Sequence, residues 1–251
     1  WNENMKMQRL LSYVRRAVQD YDMIQDDDKI AVGISGGKDS LTLLMTLKGL
    51  QRFYPKKFEL EAITVSLGFE GMDFSPIQKF CDELGVHYSI VDTQIGEIIF
   101  DARKEKNPCA LCSKMRKGAL NNKVEELGCN KIALGHNRDD VIETFFMSLF
   151  YEGRIHCFSP YTFLSKKKIA SIRPLIYVPE KDVVGFARKQ GLPIVKNKCK
   201  ADGNTKREEI KNFMKNMGKD FDYFEETVFS AIKRSELEGW GEINEFLRTG
   251  K

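Results

Sequence analysis

The chain has 251 residues, enough for one large α/β domain with a small extension, and its 42% apolar and 30% charged residues are ordinary for a soluble globular fold. Forty Lys and Arg against 36 Asp and Glu leave a net charge of +4, which permits a nucleic-acid partner without requiring one. No run approaches the ~20 consecutive apolar residues of a membrane helix and the polar stretch 1–7 lacks a signal-peptide pattern, so the expectation is a cytoplasmic protein without membrane association.

In chain order, Met7, Leu10, Leu11, Val14, Val18 and Tyr21 recur at helical spacing and predict an amphipathic N-terminal helix. Residues 29–34 read as a buried strand, followed by a glycine turn and a helix carrying Leu41, Leu44, Leu47 and Leu50. A second strand spans 58–65, a helix opens at Ser75-Pro76 and stops at Gly85, and a third strand spans 87–91. A helix over 111–127 ends at Gly128, a fourth strand covers 131–134, and a helix follows over about 139–150. Residues 169–172 suggest another strand, Pro179 opens a helix that ends near Gly191, and the tail after Asn204 is helical and highly charged. Strands alternating with helices predict an α/β fold with a parallel sheet covered on both faces. The division expected is one domain over 1–204, with 205–251 as its helical C-terminal extension.

The turn after the first strand reads Ser35-Gly36-Gly37-Lys38-Asp39-Ser40. A Walker A loop fails, because Val32 stands where its first Gly belongs and Asp39 where Ser or Thr should follow the Lys. The dinucleotide fingerprint G-x-G-x-x-G is also missing. Gly36 and Gly37 let backbone N–H groups approach phosphate oxygens, and the following helix points its positive end at the anion. Ser35 and Ser40 offer hydroxyls, Lys38 a point charge, and Asp39 either orients the loop amides or holds Mg²⁺. S-G-G-x-D-S is the pyrophosphate-loop signature, so the chain resembles the PP-loop ATP pyrophosphatases. That resemblance implies a Rossmann-like sheet and cleavage of ATP between its α and β phosphates.

Of the six cysteines, Cys109 and Cys112 form a C-x-x-C at a helix start, and Cys199 lies in a polar, basic loop. Zinc is disfavoured because His87, His136 and His156 are scattered and no second Cys pair exists. Cys81 and Cys129 read as core or structural, and Cys157 is ambiguous. Three thiolates are able to hold a [4Fe–4S] cluster with one iron open. A PP-loop, a central C-x-x-C and one distant Cys, together with "ALGHNRDD" (133–140) and "IRPLIYVPEKDV" (172–183), resemble the TtcA-type tRNA 2-thiocytidine synthetases. The related TtuA and NcsA types make 2-thiouridine, and the lack of paired cysteines near the N-terminus favours the TtcA type.

The resemblance implies an ATP-dependent tRNA sulfurtransferase that adenylates the C2 oxygen of a pyrimidine, with cytidine favoured over uridine, and replaces it with sulfur. It makes Cys109, Cys112 and Cys199 the ligands of a [4Fe–4S] cluster, with a persulfide on Cys199 or Cys109 as the alternative. Asp39, Asp139 or Asp140 would serve Mg²⁺ or activation, and Arg116 falls where relatives carry a catalytic basic residue. Gly135 and His136 end the fourth strand, where parallel sheets place ligands, so His136 either touches ATP or caps the next helix. Topology puts the adenine pocket near 64–66, with Thr64 foremost. Two basic segments, with Lys104, Lys106, Lys114, Arg116 and Lys117 in one and Lys196, Lys198, Lys200, Lys206 and Arg207 in the other, flank the cysteines and suit tRNA phosphates. The partners implied are tRNA, a cysteine desulfurase or free sulfide as sulfur donor, and a second copy of the chain, since relatives are commonly dimers. Two rival readings are a PP-loop ligase acting on a small molecule and a nucleotide-binding Fe–S redox sensor.

Overall fold

The computed structural model describes residues 2–99, 108–195 and 206–241. Cys199, Lys104, Lys106, Lys196, Lys198, Lys200 and the last ten residues of the expected extension lie outside the described residues. Six strands, β1 (Asp28–Gly33), β2 (Phe58–Ser66), β3 (His87–Asp92), β4 (Lys131–Ala133), β5 (Tyr161–Leu164) and β6 (Ile169–Ile172), form one sheet in the order β3-β2-β1-β4-β6-β5. All pairings are parallel except β5–β6, which is antiparallel. The sheet is therefore mostly parallel, as the sequence predicts, with one antiparallel strand at its edge. β5 escapes a pattern reading because it is four residues long and lies on the sheet edge, where Phe163 points to solvent and no burial alternation develops.

The helices are α1 (Asn2–Asp20), α2 (Lys38–Leu50), α3 (Ser75–Leu84), the short α4 (Ile95–Glu97), α5 (Pro108–Glu126), α6 (Arg138–Glu152), α7 (Glu180–Gln190), α8 (Lys206–Asp220) and α9 (Phe224–Lys233). Helices end at Gly85 and Gly191 as expected. α5 starts three residues earlier than predicted, because Pro108 suits a first helical turn and the two cysteines then fall inside the helix. The chain runs from β1 outward to β2 and β3, then returns to place β4 on the other side of β1. That reversal opens a crevice at the carboxyl ends of β1 and β4.

Side chains alternate across each strand, so parity decides which face a residue serves. Ile30 and Val32 of β1, Ala62 of β2 and Ala133 of β4 join one large core with Leu10, Val14, Leu41, Leu44 and Phe186. Ala31, Ile63 and Ile132 turn to the opposite face and form a small cluster with Val124 of α5 and Cys129. Val124 is the one buried residue of α5, so this helix seals only part of that face. α6, α8 and α9 share a third cluster built on Ile142, Phe146, Ile210 and Met214, which packs the described part of the extension against the domain. Phe213 and Phe224 belong to it, whereas Phe221 and Tyr223 are exposed.

The amino-terminal end of the sheet is tied by a buried ion pair. Lys131 Nζ lies 2.6 Å from Asp28 Oδ2 and donates to the Met23 carbonyl, and Asn130 donates to Asp28 Oδ1. Removing one member leaves an uncompensated buried charge. Lys131→Met is expected to cost about 3–5 kcal/mol, read as a lowering of the thermal midpoint by roughly 6–20 °C.

Candidate active site

The β1–α2 turn braces itself. Ser35 N–H donates to Ser40 Oγ at 3.1 Å, the Ser35 and Ser40 hydroxyls lie 3.2 Å apart, Gly37 N–H donates to Ser35 Oγ, and Ser40 Oγ donates to the Gly37 carbonyl. Gly36 sits at φ +83°, a left-handed conformation that an L side chain resists, and a Cβ there would meet Val195. The Val195 N–H donates to the Gly36 carbonyl at 3.0 Å. No side chain caps the first turn of α2. Its free N–H groups and helix dipole make an anion site whose loop is already shaped.

Gly135, just past β4, approaches the loop so closely that a Cβ would stand 3.0 Å from the Asp39 carbonyl carbon and the Ser40 nitrogen. Asn137 then links the two turns. Its Nδ2 donates to Asp39 Oδ1 at 3.0 Å, and its Oδ1 accepts from the N–H groups of Asp139 and Asp140. Asp140 Oδ2 accepts from Asn137 N–H, completing a capping box. The N-terminus of α6 is thereby closed to ligands while that of α2 stays open.

Asp139 and Asp140 have structural partners. Asp139 Oδ2 accepts from Glu180 N–H at 2.8 Å, and Asp140 Oδ1 pairs with Arg207 at 2.9 Å. Burial raises the pKa of both, against the hydrogen bonds and cations that lower it. Lys38 Nζ lies 2.9 Å from both Asp39 Oδ2 and Glu180 Oε1. Burial works against its charge, but the two carboxylates prevail and hold its pKa above the usual lysine value. Glu143, buried beside Arg207 and Lys211, is pushed by burial up to about 7. Arg207, expected to face RNA, is thus engaged in ion pairs with α6.

Beside the α2 terminus opens a cleft of about 670 Å³, within the range of small-molecule sites. Ser35, Asp39, Ser40, Gly135 and His136 line it from the sheet edge, and Cys109, Cys112 and Arg116 line it from α5. Spacings of three and four residues put those three side chains on one helix face. Cys109 is exposed and Cys112 half-buried, whereas Cys81, Cys129 and Cys157 are buried. Gly36, Gly37, Lys38, Asp139 and Asp140 do not line the cleft, and neither does Thr64. The parity of β2 turns Ile63 and Val65 into the cleft, while the Thr64 hydroxyl is buried, donating to the Ile34 carbonyl and accepting from Tyr88. His136 borders the cleft next to Phe158, with ring centres 4.8 Å apart, and its Nδ1 is buried without a partner. Burial, with Arg173 and Arg207 nearby, lowers its pKa to about 3.

Three contributors escape a sequence reading. Asn137 carries a signal in retrospect, since Asn followed by Asp three residues on is a capping pattern. Glu180 and Arg173 lie within the 172–183 stretch, but only the fold shows their partners, Lys38 for Glu180 and the Ser159 carbonyl for Arg173. As for inorganic partners, two accessible thiols at i and i+3 fit a thiolate-held cluster. A protein cage for Mg²⁺ does not fit: both Asp39 oxygens are already bonded, and no group of three candidate ligands gathers among the described residues.

The PP-loop domain profile matches residues 6–217. The tRNA-cytidine(32) 2-sulfurtransferase of Teredinibacter turnerae is 39% identical over 233 residues, which is 92% of this chain and 77% of that protein. The chain belongs to this family of PP-loop tRNA sulfurtransferases. The tRNA-cytidine(32) 2-sulfurtransferase of Cellvibrio japonicus is 36% identical over 97% of this chain and 81% of its own length. Among solved structures, the U34-tRNA thiolase NcsA of Methanococcus maripaludis, with its [4Fe–4S] cluster, superposes with a TM-score of 0.75. That match is 27% identical and covers 91% of this sulfurtransferase-family chain and 78% of NcsA. The mostly parallel sheet and its crevice are thus those of the PP-loop fold.

Gly135→Ala is expected to displace the PP-loop against its backbone, at about 1–3 kcal/mol, and to weaken ATP binding at least tenfold by calorimetry while circular dichroism stays native. The depressed pKa of His136 sets a pH dependence. Above pH 6.5 it is neutral folded and unfolded alike; below, the unfolded chain takes up a proton that the folded one refuses down to about pH 3. From pH 7 to 5 the parent should lose about 1–2 kcal/mol more than His136→Gln in urea titrations.

Proposed function

We propose that this chain is an ATP-dependent tRNA sulfurtransferase that converts a cytidine, position 32 by analogy with its relatives, to 2-thiocytidine. One observation carries the reading: a single cleft is lined both by Ser35, Asp39 and Ser40 of the PP-loop and by the thiols of Cys109 and Cys112. Phosphate handling and sulfur chemistry thereby share one chamber, which neither a ligase nor a redox sensor requires.

The open α2 terminus, where Ser35 and Ser40 line the cleft, receives the β and γ phosphates of ATP. Mg²⁺ enters on those phosphates, consistent with its preference for phosphate and water oxygens. The C2 oxygen of the base attacks the α phosphorus, the α–β bridge breaks, and pyrophosphate leaves. The base then carries AMP on O2, a far better leaving group than the carbonyl oxygen it replaces. Hydrosulfide attacks C2, the C2–O bond breaks, AMP departs, and loss of the sulfur proton leaves the thiocarbonyl. Lys38, neutralised by Asp39 and Glu180, supports the loop and does not reach the cleft. Arg116, which lines the cleft on the thiol side, would offset charge building on the phosphate.

Cys109, Cys112 and Cys199 would hold the [4Fe–4S] cluster, which when bound supplies the site that presents sulfide. The sulfur donor, free sulfide or a cysteine desulfurase, and a homodimeric assembly are part of the same proposal. No described helix is long and apolar enough to cross a membrane.

Nucleoside mass spectrometry of tRNA incubated with anaerobic protein, ATP and sulfide tests the reading. The parent is expected to yield 2-thiocytidine with one pyrophosphate released per thiolation. Cys109→Ser and Cys112→Ser should lower thiolation at least 100-fold while ATP affinity changes less than threefold. Full thiolation by the double variant would refute the shared-chamber reading.

A further inference from the structure

Arg173, one residue beyond β6, brings its charge into the cleft on neutral partners alone. Its Nη1 donates to the Ser159 carbonyl at 2.6 Å and reaches Thr162 Oγ1 at 3.5 Å. The guanidinium carbon lies 5.0 Å from the centre of the Phe158 ring, and Nε is buried with no acceptor. Neighbouring cations are treated differently. Lys38 meets Asp39 and Glu180, Arg207 meets Asp140 and Glu143, and Arg138 meets Glu225 and Glu226. Arg173 forms no ion pair with any described residue.

A desolvated guanidinium with no counter-charge is costly for a fold to keep. Burial draws its pKa down to about 10, so it remains a cation at neutral pH. His136, tilted against the same Phe158 ring, is neutral there and adds no charge. Two oxygens thus hold Nη1 and the Phe158 ring lies against the guanidinium, while Nε and Nη2 have no acceptor among the described residues and make the fork that binds phosphate oxygens in pairs.

We propose that Arg173 is a phosphate-binding residue of the cleft, whose counter-ion is a phosphoryl group delivered by the nucleotide or by the RNA strand. β6 lies two strands from β1, about 10 Å at ordinary sheet spacing. Arg173 therefore addresses a different phosphate from those on the α2 terminus. This deepens the reading above and rests on it for the identity of the ligands, but not for the anion site itself.

Binding to the full-length protein tests it, using ATP, AMP, adenosine and an unmodified tRNA transcript as probes against the parent, Arg173→Gln and Arg173→Lys. If the nucleotide supplies the phosphate, Arg173→Gln weakens ATP or AMP at least tenfold and leaves adenosine unchanged. If the RNA supplies it, ATP is unchanged, tRNA binding falls at least tenfold, and the slope of log affinity against log salt drops by about one. Arg173→Lys, which keeps the charge and loses the fork, should lose at least threefold on the same probe, and it decides the matter if the Gln variant does not fold. Parent-like binding of every phosphate-bearing probe, or an equal loss for adenosine, overturns the proposal. Because no turnover is read, a protein that binds phosphate through Arg173 yet never thiolates RNA would sink the functional reading and leave this one standing.

Discussion

Asn137 uses both ends of its side-chain amide, the carbonyl on the N-terminus of α6 and the NH₂ on Asp39 of the PP-loop. It is 2% exposed, so neither bond competes with water. Through it the turns after β1 and β4 become one rigid body, and everything around the nucleotide site follows. Asp39, fixed from one side by Asn137, is fixed from the other by Lys38, and Lys38 in turn reaches Glu180 at the start of α7. Glu180 N–H then closes the circuit on Asp139. The acidic pair at the head of α6 thus works as the mortar of the loop. That role explains why both carboxylates turn away from a cleft they would crowd with negative charge.

The cleft itself comes from unequal covering of the sheet. One face carries α1, α2 and α7 on a continuous core, and the other carries α5, which buries Val124 near its C-terminal end and little else. Its first half is polar, with Cys109, Cys112, Ser113 and Arg116 directed at the strand ends. A helix with an apolar stripe along its whole length would have closed down on Ile63, Val65 and Leu134 and filled the chamber. The polar N-terminal half of α5 is therefore a structural cost that keeps apolar strand residues open to a ligand. Those residues suit the flat faces of a nucleobase better than they suit water.

Much of this was legible in the sequence. The S-G-G-K-D-S run announced the loop because only glycine tolerates the Gly36 conformation and the close pass of Val195. The alternation of buried runs with 3.6-residue periods announced the parallel strands, because burial on both faces leaves no other pattern. The thiol pair is legible as chemistry, and in the fold both cysteines line the same cleft as Ser35, Asp39 and Ser40. β5 is an edge strand without burial alternation, so nothing in its composition marks it. Thr64 was placed by topology alone, and strand parity, which a one-residue shift inverts, turns it to the far face. Asp139, Asp140 and Arg207 read as site charges because sequence shows that a residue is charged but not which opposite charge the fold sets beside it.

The same distinction bears on how a protein with a net charge of only +4 handles polyanions. Lys38, Arg207, Lys211 and Arg138, the cations closest to the loop, are all consumed by carboxylates. Positive potential in the cleft then rests on groups with no ion pair to a described residue: the uncapped α2 terminus, Arg116, Lys117 and Arg173. The helix dipole and Arg173, held by the Ser159 carbonyl and the Phe158 ring, act at fixed points. For an in-line displacement at phosphorus this matters, since preorganised charges stabilise the developing anion without reorganising when the bond breaks. With most nearby cations held in internal ion pairs, the proposed phosphate binding falls to the few positive groups that line the chamber itself.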